Sequence, residues 1–385
     1  MPTWLTLLLA SACGLIVANL YFAQPLIGPI SADLGMNPQS AGLIVTMGQI
    51  GYGAGLLLVV PLADLVENRR LILALIGVVI AGLLATALST QAAPFLAATF
   101  LIGISTVAVQ ILVPYAAHMA PDATRGRVVG NVMSGLMLGI MLSRPVASFI
   151  TEAFSWHAVF AISAAVMAAL ALVLWRTLPP RHPAPGLRYG ALLTSMIVLA
   201  RNTPVLQTRA LYQACLFGAF SLFWTTVPLV LANTFHLTQN GIALFALAGI
   251  AGAISAPLAG RAADRGWSRT GTRAAMALVA ASFLLAQTAT GGTPLGLALL
   301  TASAILMDFG ITANFVFGQR AIFALDARIR SRLNGLYMAS LFIGGAIASA
   351  LGAWAYALGG WPATMLVALA LPLVALTATF MEERK

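Results

Sequence analysis

Residues 61–70 read PLADLVENRR, and residues 259–269 read AGRAADRGWSR. Each stretch follows a long apolar run and precedes another, and each has one aspartate, Asp64 or Asp264, near arginines. The two aspartates are 200 positions apart in a chain of 385 residues. This spacing predicts that the chain consists of two similar halves.

A second pair of loops repeats at nearly the same distance. PDATRGRVVGN follows one apolar run and LDARIRSRLNG follows another, and Arg125 and Arg330 occupy matching places in these two loops. Between the halves, residues 177–190 read TLPPRHPAPGLRYG, and the four prolines there cannot continue a helix. The expected units are an N-terminal six-helix bundle over 1–176, a cytoplasmic linker over 177–203 and a C-terminal six-helix bundle over 204–385.

The composition places the chain in a membrane. Hydrophobic residues make up 60% of it and charged residues 8%, whereas a soluble domain carries about 25% charged residues. The apolar runs reach the roughly 20 residues that a helix needs to cross a bilayer, and they lack the alternation of a membrane barrel. We therefore predict an all-α integral membrane protein with twelve transmembrane helices in two pseudo-symmetric six-helix bundles. The predicted spans are 5–30, 40–63, 71–90, 94–119, 128–151, 157–175, 205–232, 240–260, 273–291, 294–319, 333–357 and 361–380.

The basic residues predict the orientation of these spans. The net charge of +10 comes from short clusters between apolar runs, without the continuous basic stripe of a nucleic-acid-binding protein. Cytoplasmic loops carry an excess of Lys and Arg, and a cytoplasmic N-terminus puts 19 of the 20 such residues inside and none in outer loops. We expect a multi-pass protein of the inner (plasma) membrane with both termini cytoplasmic. The 19 residues are Arg69, Arg70, Arg125, Arg127, Arg176, Arg181, Arg188, Arg201, Arg209, Arg261, Arg265, Arg269, Arg273, Arg320, Arg328, Arg330, Arg332, Arg384 and Lys385.

These repeated loops resemble the major facilitator superfamily, and within it the twelve-span bacterial exporters of the drug:proton antiporter type. The family pattern after span two is roughly G-x-L-A-D-R-x-G-R-R; Ala63, Asp64, Arg69 and Arg70 fit it, while Leu65 and Glu67 depart from it. In span four, Thr99 stands where the family has an arginine. The resemblance implies a cytoplasmic gate formed by Asp64, Arg69, Arg70, Arg125, Asp264, Arg265 and Arg330.

The resemblance also implies that spans one, four, seven and ten line a central cavity. All four contain polar or aromatic residues that lipid would not accommodate cheaply. In span one these residues fall in ANLYFAQPLIGPI, residues 18–30, whose two prolines should kink or end the helix near the outer rim. An alternative is that the amides only join helices within one half. The candidate cavity residues are Asn19, Tyr21, Gln24, Gln110, Tyr115, Gln213, Trp224, Asp308 and Asn314.

Asp308 and Arg144 are the clearest ionisable residues inside the predicted spans. A charged side chain at such depth costs roughly 2.5–3.5 kcal/mol on insertion scales and is by default a functional candidate. We expect Asp308 to be the proton site and Arg144 to bias it. A static buried pair, or two unrelated hydrogen-bonded groups, is the alternative.

The resulting hypothesis is secondary active transport: proton-coupled export of small amphipathic organic molecules by alternating access. An uptake symporter or uniporter for a sugar or amino acid is the alternative. The four histidines are scattered, and the sequence has no H-E-x-x-H, paired-cysteine, nucleophile-elbow or P-loop pattern, so we expect no enzyme, metal site or cofactor. The expected partners are a small-molecule substrate, protons and the lipid bilayer, with no nucleic acid, and the expected state is a monomer.

Overall fold

The computed structural model describes residues 2–121, 124–183, 188–289, 291–326 and 329–382. Within these residues all regular structure is helical, as the composition predicts. The helices are α1 Thr3–Ala18, α2 Ile27–Asp33, α3 Leu43–Leu58, α4 Asn68–Ala87, α5 Ala92–Thr106, α6 Ala108–Met119, α7 Arg125–Ala153, α8 Trp156–Thr177, α9 Tyr189–Asn202, α10 Pro204–Asn233, α11 Gln239–Ala246, α12 Ala251–Asp264, α13 Ser268–Gln287, α14 Pro294–Phe323 and α15 Arg330–Glu382.

These helices form twelve spans. Nine helical stretches in the described part of the chain are long and apolar enough to cross a membrane, and the last of them is 52 residues long. That last stretch contains two spans, because Gly359 and Gly360 have non-helical backbone angles and Gly360 has a φ of 62°, which glycine adopts readily. The shorter apolar helix α1 and the less apolar α13 complete the set. The predicted all-α membrane fold is confirmed.

Span one is interrupted, which explains the polar stretch within it. Helix α1 ends at Ala18, and the Asn19 side-chain amide donates to the carbonyls of Leu15 and Ile16 at 2.9 and 3.0 Å. Turns and a 3-10 segment at Gln24–Leu26 follow before α2 begins. The predicted break is confirmed, but it begins at Asn19 rather than at the prolines, because the Asn19 amide competes for the last helical carbonyls.

Spans four and eight are also interrupted, although the sequence predicted continuous helices there. In span four, Val107 separates α5 from α6, and the Thr106 hydroxyl donates to the Gly103 carbonyl at 3.0 Å. In span eight, a 3-10 segment at Leu247–Ile250 separates α11 from α12. This segment contains Gly249, and glycine favours a helix less than any residue except proline.

Each half packs around its own core. One buried cluster is formed mainly by residues from Leu5 to Leu178, and a second by residues from Tyr212 to Ala375. Span eleven also contributes Phe342 to the first cluster. The two halves therefore meet along span eleven while keeping largely separate interiors.

The predicted linker contains a helix that the sequence did not predict. Helix α9 has its Tyr189 hydroxyl donating to the carbonyl of Leu58 in α3 at 2.7 Å. On its other side, Arg332 of α15 donates to the Ser195 hydroxyl at 2.9 Å. Helix α9 thus joins both halves at the end of the bundle that holds residues 59–68 and 177–183, which we call the linker face. The opposite end, with residues 33–38 and 233–239, is the far face.

Candidate functional site

Arg144 is buried where the two halves meet, with 3% of its surface exposed. Its Nε donates to Gln24 Oε1 at 2.7 Å. The guanidinium carbon lies 4.6 Å from the ring centroid of Trp224 and 5.2 Å from those of Tyr21 and Phe220. Contacts of this kind are worth about 2 kcal/mol or more when desolvated. The N-terminal half thus supplies the cation and the C-terminal half supplies two of the rings that surround it.

Asp308 lies in the same cluster and is 5% exposed. Its Oδ1 accepts a hydrogen bond from Trp224 Nε1 at 3.3 Å, and its charge interacts with that of Arg144. Both side chains lie close to Gly249: a Cβ at that position would be 3.0 Å from Asp308 Oδ2 and 3.9 Å from Arg144 Nη1. Asp308 Oδ2 and Arg144 Nη1 are therefore at most 6.9 Å apart. Trp224 therefore links the two ionisable residues, contacting one with its ring and the other with its N–H group.

Two polar atoms of this cluster have no hydrogen-bond partner among the described residues. They are Arg144 Nη2 and Gln24 Nε2. A buried polar group left unpaired costs about 1–3 kcal/mol. Two such donors on adjacent side chains make this place a candidate site for a polar ligand.

Three other cavity candidates bond within their own half. Asn314 Nδ2 donates to Gln213 Oε1 at 2.8 Å, and both side chains belong to the C-terminal half. Asn19 Oδ1 accepts the Ser163 hydroxyl at 2.6 Å, within the N-terminal half. For these amides the geometry favours the alternative of bonds inside one half, although Asn314 Oδ1 has no hydrogen-bond partner in the part of the chain that the structure describes.

Span four places its two candidates apart. Gln110 Nε2 donates to the Tyr52 hydroxyl at 2.9 Å and is partly exposed. Tyr115 is fully buried, and its hydroxyl donates to the carbonyl of Pro179 at the linker face. Tyr115 is more than one turn beyond Gln110 along α6, so it contacts the linker and not the Arg144 cluster. The expectation that it lines the cavity does not fit this placement.

Polar contacts between the halves also occur on α3, which the sequence analysis did not single out. Gln49 Nε2 donates to the Ser221 hydroxyl at 2.6 Å, and the hydroxyls of Thr46 and Ser349 lie 2.7 Å apart. Both pairs are buried. The sequence signal that could have identified Gln49 was the presence of its amide within the apolar run of span two.

A further contact between the halves lies at the far face. Glu152 Oε2, at the end of α7, accepts the backbone N–H of Gln239, the first residue of α11, at 3.0 Å. A carboxylate is favourable at a helix N-terminus. Together with the α3 pairs, this contact holds the halves together on the far side of the bundle.

In the C-terminal half, the predicted gate has a different ion pair from the one expected. Asp264 Oδ1 lies 2.5 Å from Nη2 of Arg320, at the end of α14, and both side chains are well exposed. Arg330 instead donates to the Phe323 carbonyl at 2.8 Å, and Arg265 lies over the ring of Trp267. The sequence placed Arg320 among the cytoplasmic basic residues without assigning it to the gate.

In the N-terminal half, Glu67 makes the contacts expected of Asp64. Asp64 is exposed and has no ion pair among the described residues. Glu67 accepts the backbone N–H groups of Arg69, Arg70 and Arg181 at 2.7, 3.0 and 3.1 Å. Partial burial raises the pKa of Glu67, but the three hydrogen-bond donors together lower it by a larger amount. The pKa of Glu67 therefore lies below that of an ordinary glutamate. The residue that departs from the family pattern thus ties this loop to the linker.

The seven predicted gate residues do not form a single cluster in this structure. Arg125 Nε donates to the Ala117 carbonyl at 3.2 Å, within its own half, and the Arg69 guanidinium donates to the Trp175 carbonyl. Of the predicted cytoplasmic basic residues, Arg328, Arg384 and Lys385 lie outside the described residues.

A bundle of twelve membrane-spanning helices in two halves, with buried polar groups where the halves meet, is an architecture of secondary transporters. Sequence comparison identifies the family. The model of the Major Facilitator Superfamily matches residues 7–327 and, in a second match, residues 210–385. The chain belongs to this family, and the coarse prediction of secondary membrane transport is confirmed.

Individual proteins extend this similarity. The uncharacterized transporter YgaY of Escherichia coli is 40% identical over 353 residues, covering 91% of this chain and 89% of that protein. The probable transporter SCO4007 of Streptomyces coelicolor is 34% identical, covering 91% and 80%. A solved bacterial homologue of the human lysosomal transporter Spinster, described as inward-facing and unoccupied, aligns with a TM-score of 0.76 at 13% identity, over 99% of this chain and 97% of that one. This last likeness shows the fold.

Proposed function

We propose that the protein is a proton-coupled exporter of small amphipathic organic molecules that works by alternating access. The observation that carries the proposal is the cluster of Arg144, Trp224 and Asp308, in which ionisable side chains from both halves meet in a buried place. Intramembrane ionisable residues are expensive and by default functional.

The proton acts at Asp308. With Asp308 ionised, its attraction to Arg144 in a medium of low dielectric constant holds the two halves together at their centre. Protonation removes this attraction, so the halves separate more easily and the site opens to the other side. Arg144 changes the proton affinity of Asp308 only while the two are close, which couples protonation to the movement of the halves.

The linker face is the cytoplasmic side in this proposal, with both termini there. The contacts of Glu152 with Gln239 and of Thr46 with Ser349 then close the outer side. A cysteine placed at His236 should react with an impermeant label added outside intact cells, and one placed at Pro183 should not. The reverse pattern would reject this orientation.

Protons enter the cytoplasm in both export and uptake, but the two predict different responses to substrate added on the cytoplasmic side. In everted membrane vesicles with an acidified lumen, an exporter exchanges added substrate for lumenal protons, so the quenched acridine orange signal recovers. A symporter for uptake gives no recovery when substrate is added outside. We expect recovery with members of a panel of neutral and cationic amphiphiles.

Asp308→Asn should abolish that recovery while leaving exchange of labelled compound across proteoliposomes at least partly intact. Asp33→Asn is the matched control, because Asp33 is an acid that contacts Trp156 at the far face, away from the cluster. Recovery in Asp308→Asn at the wild-type rate would show that Asp308 is not the proton site.

A further inference from the structure

Two adjacent side chains at the cluster keep free hydrogen-bond donors. Arg144 Nη2 and Gln24 Nε2 have no partner among the described residues, and their residues are only 3% and 1% exposed. The two side chains are already joined by the 2.7 Å bond from Arg144 Nε to Gln24 Oε1. The free donors therefore belong to one hydrogen-bonded pair of side chains, and both can be satisfied only by hydrogen-bond acceptors.

We propose that this donor pair binds an uncharged acceptor oxygen of the transported molecule, such as the carbonyl of an amide or ketone. The inference rests on the proposed transport function and names the substrate class. An acceptor oxygen has two lone pairs, so it satisfies both donors at once.

The charges of the site exclude an anion when Asp308 is ionised. Asp308 already compensates Arg144, so a carboxylate would add a negative charge that nothing in the cluster balances. Burying an uncompensated charge is far more costly than burying a hydrogen-bonded neutral group. A cationic group at the free donors would instead be repelled by the positive charge of the Arg144 guanidinium.

The surface next to the donors is apolar. A cavity of about 10 Å³ borders Arg144 and Trp224, and a cavity this small holds no more than about one water molecule. A substrate therefore enters only when the halves separate, and its body then lies against apolar side chains. These are Pro25, Val227, Pro228, Leu231, Ile242, Phe245 and Ala246.

The test is equilibrium binding without any proton gradient. A panel of about a dozen apolar bodies is prepared with three head groups each, a primary amide, a carboxylate and a primary amine, and titrated into purified wild-type protein at pH 8.5, which favours ionised Asp308. We expect binding by amide members and at least tenfold weaker binding by the matched carboxylates. Binding by no amide, or equal binding by amides and carboxylates, would overturn the inference.

Gln24→Glu and Gln24→Met together test the free donor. Gln24→Glu keeps an acceptor for Arg144 Nε, but it replaces the free N–H group with an oxygen and adds a negative charge; the amides should bind about tenfold more weakly, the equivalent of one lost hydrogen bond. Gln24→Met removes the donor without adding charge, although it also removes the acceptor for Arg144 Nε, and it should weaken amide binding to a similar extent. Gln91→Glu, at the exposed start of α5, is the control for the added charge. Unchanged amide affinity in both folded Gln24 variants contradicts the proposal.

Asp308→Asn tests the charge argument. It leaves Arg144 uncompensated, so the carboxylates should bind at least tenfold more tightly than they bind wild type. Unchanged carboxylate affinity would overturn the argument from charge. If binding fails these tests while Asp308→Asn still abolishes substrate-driven proton movement, only the substrate class is rejected and the transport proposal stands.

Discussion

The two halves share their helix packing and differ in the chemistry that they bring to it. A Cβ on Gly139 of α7 would lie 2.2 Å from the Gly14 carbonyl oxygen of α1, and one on Gly344 of α15 would lie 2.5 Å from the Ala214 carbonyl oxygen of α10. The same close approach thus occurs in both halves, about 200 residues apart. Small residues let membrane helices approach this closely.

The side chains of the candidate site are not repeated in this way. The N-terminal half supplies Arg144 and Gln24, and the C-terminal half supplies Asp308 and Trp224. The gate loops differ as well, since Arg320 pairs with Asp264 whereas Tyr115, 205 positions earlier, bonds to the linker. Packing is therefore the part of the internal repeat that both halves keep, and the candidate site combines side chains that differ between them.

The largest effect should come from removing the N-terminal half's charge. Arg144→Ala removes the buried cation near Asp308 together with its hydrogen bond to Gln24 and its ring contacts, and removing one of two buried opposite charges costs up to about 3–5 kcal/mol. Thermal unfolding in detergent should show a large loss of stability. The double variant Arg144→Ala with Asp308→Asn should be more stable than Arg144→Ala alone. Equal stabilities would mean that the two charges do not interact.

The next largest effect tests the shared packing. Gly139→Ala and Gly344→Ala place a Cβ against backbone that cannot yield easily, and each should lower stability by about 1–3 kcal/mol. Gly130→Ala is the control on the same helix α7, because nothing lies within 4 Å of a Cβ there. It should be neutral or slightly stabilising. If all three variants unfold at the same temperature, the close approach is not a constraint.

These contacts also show what could be predicted from the sequence. The span number followed from apolar length and from the distribution of arginines, since both are local properties of the chain. The break in span one was predicted, but not its start at Asn19, and the interruptions at Val107 and Gly249 were not predicted, because they depend on local hydrogen bonds and on neighbouring helices. Gln49 was missed because its partner, Ser221, lies in the other half, and sequence alone gives no distance between halves.

A smaller effect concerns the linker face of the N-terminal half. Because the pKa of Glu67 is lowered in the folded protein, its ionised form stabilises the fold above the unfolded pKa of about 4.3. This contribution is lost as the pH falls through the lower folded pKa. Glu67→Gln should therefore be less stable than wild type by about 1 kcal/mol at pH 7. The difference should shrink as the pH falls below about 4, and a constant difference from pH 7 to 3 would exclude ionised Glu67 as its cause.

The smallest effect separates the two gate aspartates. Asp264 is paired with Arg320 in this structure, while Asp64 has no ion pair among the described residues. An exposed pair is worth about 0–1 kcal/mol and is screened by salt. Asp264→Asn should therefore lower stability slightly at low salt and not at high salt, whereas Asp64→Asn should leave stability unchanged at both.

Transport can still fall up to several-fold in either variant, because an aspartate at the linker face has other arginines available once the halves move. Thermal unfolding at low and high salt, compared with the initial rate of exchange, distinguishes these roles. If Asp64→Asn loses as much stability as Asp264→Asn and with the same salt dependence, the two loops are equivalent and the asymmetry ends at the buried cluster. If neither variant changes exchange, the aspartates serve only to orient the chain in the membrane.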